Sequence, residues 1–347
     1  MTMATMAYLK RETERIRMES EQEQNSSSSN KRLKPTTTTN LQDILSHLPE
    51  PLINHILNFL DMKQIVQTCL LSKRWQNLWE SIPNLYFNDL KWYLTQTGPG
   101  RKFKKNKFRY FVDSVLLLRD GSDIQKFTLY FSSSCVSDNK RLDRWISYAL
   151  RRNVQVLTFG ATEFFHTNVI RLSGYVRTLE FKGVFFPCDD GSDDGVLNMD
   201  LVNVEHLLFE DCGYCNVKKL VVNAPALKSL MIDTYDKRLN HSTVVKICCP
   251  KMVVILCKGY MFKDYTLENC GNVVIAKIDT IVNPIEKGLP DIPKMDGEGF
   301  GRCLNKLIHG LGNVRCLTLS AHGLQGEPGR TLPTHGPATA LQRFNSQ

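Results

Sequence analysis

The sequence lacks the features of a membrane-spanning or exported chain. Its 347 residues contain no apolar run that approaches the ~20 residues needed to cross a bilayer. The amino-terminal stretch becomes charged too early to hold the apolar core of a secretory signal. Eleven cysteines, an odd number scattered along the chain, indicate free thiols in a reducing compartment rather than a disulfide framework. We therefore expect a protein of the nucleus, the cytoplasm or both.

Common catalytic motifs are also missing. The sequence has no P-loop, dinucleotide-binding glycine pattern, nucleophile elbow or H-E-x-x-H pair. The eight histidines are scattered, and no cysteine stands in a context that marks a reactive thiolate. We therefore expect no catalytic residue, no cofactor and no enzymatic activity of the chain alone.

Two short segments only superficially resemble metal sites. Cys212 and Cys215 form a C-x-x-C pair, but a structural zinc site needs about four ligands in matched pairs. The acidic run at residues 189–194 has adjacent carboxylates and no later bidentate glutamate, unlike a calcium loop of the EF-hand type. We interpret Cys212 as a buried structural residue and the acidic run as a solvated turn, and we predict no metal site.

The composition is that of a globular chain with an unevenly distributed positive charge. Apolar residues make up 42% and charged residues 23%, which excludes wholesale disorder. The formal charge is +9, and a net charge of that sign raises the question of nucleic-acid binding. Residues 1–40 contribute +2 and the block Arg101–Arg109 contributes +6, which leaves +1 for the rest of the chain.

The basic block Arg101–Arg109 interleaves six basic residues with two phenylalanines, a pattern that can grip a nucleic-acid backbone and stack on bases. A recognition surface normally spreads its basic residues over a folded face, however. We favour an exposed loop leading into a helix, whose apolar face follows helical spacing, and regard nucleic-acid binding as the less favoured alternative. The helical face comprises Phe108, Phe111, Val112, Val115 and Leu116.

Residues 1–40 are rich in Glu, Gln, Ser and Thr and have almost no aromatic residue. Such a segment cannot bury enough apolar surface to offset its ordering entropy. We predict a disordered tail, in which the cluster Lys31, Arg32 and Lys34 is either a solvated stretch or a nuclear-import signal.

Residues 41–87 predict three short helices. The first begins at Pro49 and Pro51, because a first-turn proline loses no needed hydrogen bond. Asp61 and Ser72 are candidate N-caps for the second and third, and Pro83 ends the third. So small and apolar a unit is marginal alone. Either a partner protein covers part of its surface or the helices pack only on the following domain.

This segment resembles the F-box motif in its plant-type form. The resemblance rests on Leu48 to Ile53, Ile56 to Leu60, Leu71 to Trp75, Leu78-Trp79 and Pro83, which match in order and without gaps. It implies a docking module for the Skp adaptor and, through that adaptor, for the cullin of a Skp–cullin–F-box ubiquitin ligase. The adaptor-binding residues that it implies, some of them expected to belong to the core, are Leu48, Pro49, Leu52, Ile56, Leu57, Val66, Leu70, Trp75, Leu78 and Trp79.

A second pattern recurs from about residue 120: an apolar residue, two others, Leu or its equivalent, one other, and an apolar residue. The starts are separated by 30, 22, 28, 23, 25, 21 and 41 residues, close to the 20–29 residues of leucine-rich repeats. The widest interval contains a helix-like stretch, Gly301 to His309. The copies begin at Ile124, Val154, Val176, Val204, Leu227, Met252, Val273 and Val314.

These repeats predict a solenoid, because no single unit can bury its apolar side alone and stacking joins those sides into one core. A doubly wound α/β domain would need helices of ~10–15 residues between strands, and several intervals are too polar for that. The predicted fold class is therefore α/β: a small three-helix F-box followed by a leucine-rich-repeat solenoid with a parallel, concave strand face.

The predicted domains are a disordered tail (1–40), the F-box (41–87), a basic linker and helix (88–122), the repeats (123–320) and an atypical, disordered tail (321–347). Plant F-box/leucine-rich-repeat proteins often carry more repeats and a further carboxyl-terminal domain, so the resemblance implies a shortened array. It also implies a non-catalytic substrate receptor that holds a target protein on its repeats. The alternative is a non-degradative protein that competes for the adaptor.

Overall fold

The computed structural model describes residues 48–71, 73–89, 101–131, 136–160, 175–184, 186, 195–214, 217–234, 243–281 and 297–320. The chain divides into two compact units, Met1–Ile124 and Gln125–Gln347, and each is considered by itself. The predicted tails, the cluster at Lys31, the acidic run at 189–194 and Cys215 lie outside the described residues.

The described part of the first unit is helical, with one short strand. Its elements are α1 (Glu50–Leu57), α2 (Met62–Gln67), 3-10 turns at Thr68–Leu70, Lys73–Trp75 and Leu78–Glu80, β1 (Asn84–Asn88) and α3 (Arg101–Leu118).

The first two predicted helices are confirmed. Pro49 is extended (φ −59°, ψ 143°) and its carbonyl accepts the amide of Ile53, at 3.1 Å, so α1 starts after it. Asp61 caps α2 as expected: its carboxylate accepts the Gln64 amide at 2.9 Å, and its own amide donates to Gln64 Oε1 at 3.0 Å. This reciprocal pair is a capping box, which satisfies two otherwise orphan amides.

The third predicted helix is replaced by two separate 3-10 turns, Lys73–Trp75 and Leu78–Glu80. Asn77, between them, has φ −115° and ψ 1° and leaves the helical region. Trp75 and Trp79 are nevertheless both buried, at 1% and 7% exposure. This segment is therefore held in place by burial of the two indole rings and not by continuous helical hydrogen bonding.

The prediction of an exposed loop at the basic block Arg101–Arg109 is wrong, because helix α3 already begins at Arg101. The expected apolar face is confirmed in full, since every member is buried: Phe108, Phe111, Val112, Val115 and Leu116. Lys and Arg are good helix formers, so the basic residues extend the helix that the apolar face anchors.

The second unit is built on two parallel sheets. Its strands are β2 (Lys126–Tyr130), β3 (Val156–Gly160), β4 (Thr178–Lys182), β5 (Val196–Asp200), β6 (His206–Glu210), β7 (Lys219–Asn223), β8 (Ser229–Thr234), β9 (Val244–Cys248), β10 (Val254–Tyr260), β11 (Asp264–Glu268), β12 (Ile275–Ile281) and β13 (Cys316–Leu319). Its helices are α4 (Val136–Arg151) and α5 (Gly297–His309).

All eight predicted repeat strands are confirmed, and they lie side by side in the main sheet in the order β2-β3-β4-β6-β8-β10-β12-β13. The pairing is parallel and keeps equivalent repeat positions opposite each other, as with Leu179, Leu207 and Leu230. The apolar motif positions point inward and alternate with half-exposed residues. The 41-residue interval holds α5, also as expected.

The second sheet, ordered β11-β9-β7-β5, was not foreseen. Its strands occupy the intervals between successive main-sheet strands from β4 to β12. A doubly wound fold would place helices there, so these four strands settle the choice in favour of a repeat solenoid with a strand on each side of the core.

The core between the two sheets is aromatic. Phe181 stacks on Phe159 and Phe209, with ring centroids 6.0 and 5.5 Å away, and meets Phe186 edge-on at 5.2 Å. Tyr214 continues the cluster toward Phe262 at 5.2 Å.

No described helix is long and apolar enough to cross a membrane.

Candidate functional site

The first candidate site is a set of large apolar side chains left exposed in the first unit. We call it the exposed apolar set; its members and their exposed fractions are Leu52 (50%), Ile56 (39%), Phe59 (76%), Leu70 (55%) and Leu71 (44%). Large apolar side chains that lie together on an exposed surface are typical of protein-interaction sites.

Helix α1 separates its apolar residues into two faces. Ile53 and Leu57, four residues apart, are buried at 1% and 2% exposure. Leu52 and Ile56, also four residues apart, lie on the neighbouring face. Phe59 follows two residues after the helix ends, where its amide donates to the Ile56 carbonyl at 3.1 Å. The His55 ring packs edge-on against the Phe59 ring at 5.0 Å between centroids. The helix therefore contributes one face to the core and offers another to solvent.

The structure divides the ten implied adaptor-binding residues into groups. Leu57, Val66, Trp75 and Trp79 are buried and act as core. Leu48 and Leu78 are half-buried. The members whose side chains are exposed are Pro49, Leu52, Ile56 and Leu70.

Two exposed residues were missed by sequence reasoning, Phe59 and Leu71. The signal for Phe59 was available, because it continues the i, i+4, i+7 spacing of Leu52 and Ile56. Leu71 carries no such signal, since it follows the short turn Thr68–Leu70, where helical periodicity ends.

Helix α3 is fastened to the F-box segment within the first unit. The Arg119 guanidinium, 7% exposed, donates to the Ile82 carbonyl at 2.7 Å. The Phe87 and Phe111 rings meet edge-on at 6.2 Å. Residues 101–119 therefore contribute to the core of this unit rather than serving only as a connector.

One aromatic ring of the basic block, that of Phe108, is unavailable to a nucleic acid. The ring of Phe108 is 1% exposed, so it cannot stack on a base. Arg109 is half-buried and donates to Asn106 Oδ1 at 2.8 Å. Stacking of bases on exposed aromatic rings is a main source of affinity for single-stranded nucleic acid. The buried Phe108 ring cannot contribute such stacking.

The second candidate site is the open face of the main sheet, formed by the outward residues of its strands. Across β3, β4 and β6, a polar network covers it. Glu180 accepts a hydrogen bond from Thr158 at 3.1 Å. Lys182 bridges Glu210 at 2.9 Å and Glu180 at 3.9 Å, and the hydrogen bond to Glu210 raises the pKa of Lys182.

Cys212 has the structural role that the sequence suggested. It is fully buried, and its thiol donates to the Phe181 and Glu210 carbonyls at 3.4 and 3.5 Å. Burial raises its pKa to about 12. No group of three His, Cys, Asp or Glu side chains suited to a metal occurs among the residues that the structure describes.

The thiols predict a sharp order of reactivity. Burial raises the pKa of Cys212, Cys249, Cys257 and Cys303 to about 12, so almost no thiolate forms at neutral pH. Among the cysteines that the structure describes, Cys316 is exposed and should be alkylated first. Peptide mass spectrometry after iodoacetamide treatment should find Cys316 modified and the four buried thiols protected until urea is added. Early labelling of the four would contradict the packed core.

Comparison with known proteins agrees with this geometry. Residues 45–87 match the F-box domain. An F-box protein of Arabidopsis thaliana is 30% identical over 312 residues, which cover 78% of this chain and 61% of that protein. Two Arabidopsis F-box/LRR-repeat proteins are 30% and 27% identical, and each alignment covers 70% of this chain, with 53% and 66% of the relative.

The chain thus spans about half to two thirds of the length of these curated relatives. No solved structure matches it. The F-box match coincides with the unit that bears the exposed apolar set, and the relatives named for leucine-rich repeats extend over the repeat strands. These observations identify the chain as a plant-type F-box/leucine-rich-repeat protein.

Proposed function

We propose that the chain is a substrate-receptor subunit of a Skp–cullin–F-box ubiquitin ligase. The observation that carries this is the exposed apolar set within the segment that matches the F-box domain. An F-box implies binding to a Skp-type adaptor, and the exposed side chains supply the area that such an interface buries.

In this proposal the chain catalyses no reaction itself. The adaptor links it to a cullin, the repeats hold a target protein, and a ubiquitin-conjugating enzyme modifies the target's lysines. The receptor contributes by proximity, because tethering raises the effective concentration of those lysines near the activated thioester. The proposed place of action is the nucleus, the cytoplasm or both.

Co-purification with a Skp adaptor tests the first step. Ile56→Lys with Phe59→Lys should weaken adaptor binding about 10–100-fold, because charge is introduced at side chains that the interface would desolvate. Titration calorimetry measures the dissociation constant of each variant for the adaptor. Leu117→Lys is the matched control, since Leu117 is 71% exposed in the same unit but outside the exposed apolar set.

Retained binding by the double variant, or no binding by the wild-type chain, contradicts the docking proposal.

A second measurement addresses the outcome for bound proteins. Expressing the chain should shorten the half-lives of proteins that bind its repeats. Lengthened half-lives would instead favour the alternative role, an adaptor-binding competitor that does not promote degradation.

A further inference from the structure

The corner between α1 and α2 carries Phe59, which at 76% is the most exposed large apolar side chain that the structure describes. The Phe59 amide donates to the Ile56 carbonyl at 3.1 Å, and the capping box at Asp61 begins two residues later. Leu57 before the corner and Met62 after it are buried. Phe59 therefore projects from a short surface turn that is anchored at both ends.

A hydrogen bond between two asparagine side chains ties this corner to a distant segment of the same unit. Asn84 Nδ2 donates to Asn58 Oδ1 at 2.9 Å, across 26 residues of sequence. Asn58 is the C-cap of α1 and directly precedes Phe59. Asn84 begins β1, whose next side chain, Leu85, is 1% exposed. The hydrogen bond therefore connects the exposed corner to a strand that is anchored in the core.

The Phe59 ring itself has a neighbour on the preceding turn of α1. The His55 ring meets it edge-on, with centroids 5.0 Å apart and ring planes at 88°, an arrangement that aromatic pairs favour. The direction in which the Phe59 ring leaves the protein thus depends on α1 through His55 and on the backbone of the corner through Asn58.

This direction matters because docking costs conformational entropy. A mobile side chain must be ordered when a partner protein closes over it, and a surface that is already ordered avoids this loss. An aromatic side chain has only two rotatable bonds, so the backbone that carries the Phe59 ring contributes much of its freedom. Asn58 and Asn84 can restrict that backbone without touching the partner.

We propose that Asn84 is a positioning residue for adaptor docking: its side chain holds Asn58 and thereby keeps the Phe59 ring at a fixed angle to α1. This deepens the proposed function, on which it rests, by separating a residue that orients the docking surface from the residues that form it. His55 limits the rotation of the same ring.

Titration calorimetry of the full chain with a Skp adaptor tests the inference. Asn84→Ala should weaken adaptor binding about three- to tenfold, because the corner then samples directions in which the ring misses the partner surface. The thermal melt should stay nearly unchanged, since water replaces the lost partner of an exposed hydrogen bond.

Two isosteric variants separate the hydrogen bond from a change in charge. Asn84→Asp removes the donor, whereas Asn58→Asp keeps an acceptor oxygen for the Asn84 amide. The two side chains are hydrogen-bonded to each other, so each variant adds one negative charge at nearly the same place. Asn84→Asp should bind the adaptor at least about threefold more weakly than Asn58→Asp, because only the second retains the bridge.

A double-mutant cycle with Phe59→Ala shows whether Asn84 acts through the ring. In the Phe59→Ala background, Asn84→Ala should change adaptor binding by less than about twofold, because no ring is left to orient. Asn58→Ala, which removes the acceptor, should behave like Asn84→Ala in both backgrounds and takes its place if that variant does not fold.

Wild-type affinity in folded Asn84→Ala and Asn58→Ala, equal affinity of the two aspartate variants, or an equal loss with and without the Phe59 ring would overturn the inference. Circular dichroism melts establish that each variant is folded. If Phe59→Ala weakens adaptor binding and the asparagine variants do not, only the positioning role fails. If the wild-type chain does not bind the adaptor at all, the proposed function fails, and this inference fails with it.

Discussion

Replacing Phe181 by alanine should destabilise the repeat unit by about 3–5 kcal/mol, the usual range for a buried aromatic truncated to alanine. The Phe181 ring is fully buried, and three other rings contact it: Phe159, Phe186 and Phe209. These neighbours belong to β3, to β6 and to the segment after β4. The cavity would therefore open where three consecutive stretches of the repeat array meet, and few side chains there can move to fill it.

Urea unfolding followed by circular dichroism measures the loss. Phe181→Leu is the graded control, because it keeps much of the apolar volume and should cost less than the alanine variant. Tyr175→Ala is the control for truncating an exposed aromatic residue. Tyr175 is 58% exposed, so its removal should change the free energy of unfolding by less than about 0.5 kcal/mol. Equal effects for Phe181→Ala and Tyr175→Ala would contradict the aromatic core.

Trp75→Ala should destabilise the first unit by a similar amount, about 3–5 kcal/mol, and abolish adaptor binding indirectly. The resemblance implied that Trp75 binds the adaptor, but its side chain is only 1% exposed. Loss of the indole ring should therefore reduce adaptor binding by unfolding the unit, not by removing a contact with the adaptor. A thermal melt of the variant without adaptor should show this directly.

Phe59→Lys is the matched variant for this experiment. Phe59 is 76% exposed, so lysine there should leave the melt nearly unchanged while adaptor binding falls. The two variants separate a residue that maintains the fold from one that offers a contact. A normal melt for Trp75→Ala with adaptor binding lost would show that Trp75 contacts the adaptor itself, and the assignment to the core would be wrong.

Sequence reasoning succeeded where the signal is local and periodic. The cap at Asp61, the helix start after Pro49 and all eight repeat strands follow from side-chain chemistry and spacing over a few residues. It was wrong about the loop at Arg101 and the third helix after Ser72. Both errors concern how far a helix extends, which depends on distant packing as well as on local propensity.

The second sheet had a weaker signal. Its strands β5, β7, β9 and β11 are five residues each, as are several main-sheet strands. Two of them fit the repeat pattern, as Val217-x-x-Leu220-x-Val222 and Phe262-x-x-Tyr265-x-Leu267, and were overlooked. They form because the backbone of the preceding repeat offers a parallel partner, as Val221 pairs with Asn198 and Lys246. That partner is more than 20 residues away, beyond the reach of any local pattern.

The sequence by itself determined the family, the number of recognisable repeat strands and the absence of familiar catalytic motifs, because these depend on residue types at fixed spacings. Only the tertiary structure decided which apolar residues of the F-box are core and which are exposed, since Leu52 and Ile53 are neighbours in sequence and differ in exposure from 50% to 1%. Side-chain exposure depends on what packs against each face. The same reason explains which outward residues of the main sheet meet, as Leu208 and Met231 do, because they come from repeats that only parallel stacking brings together.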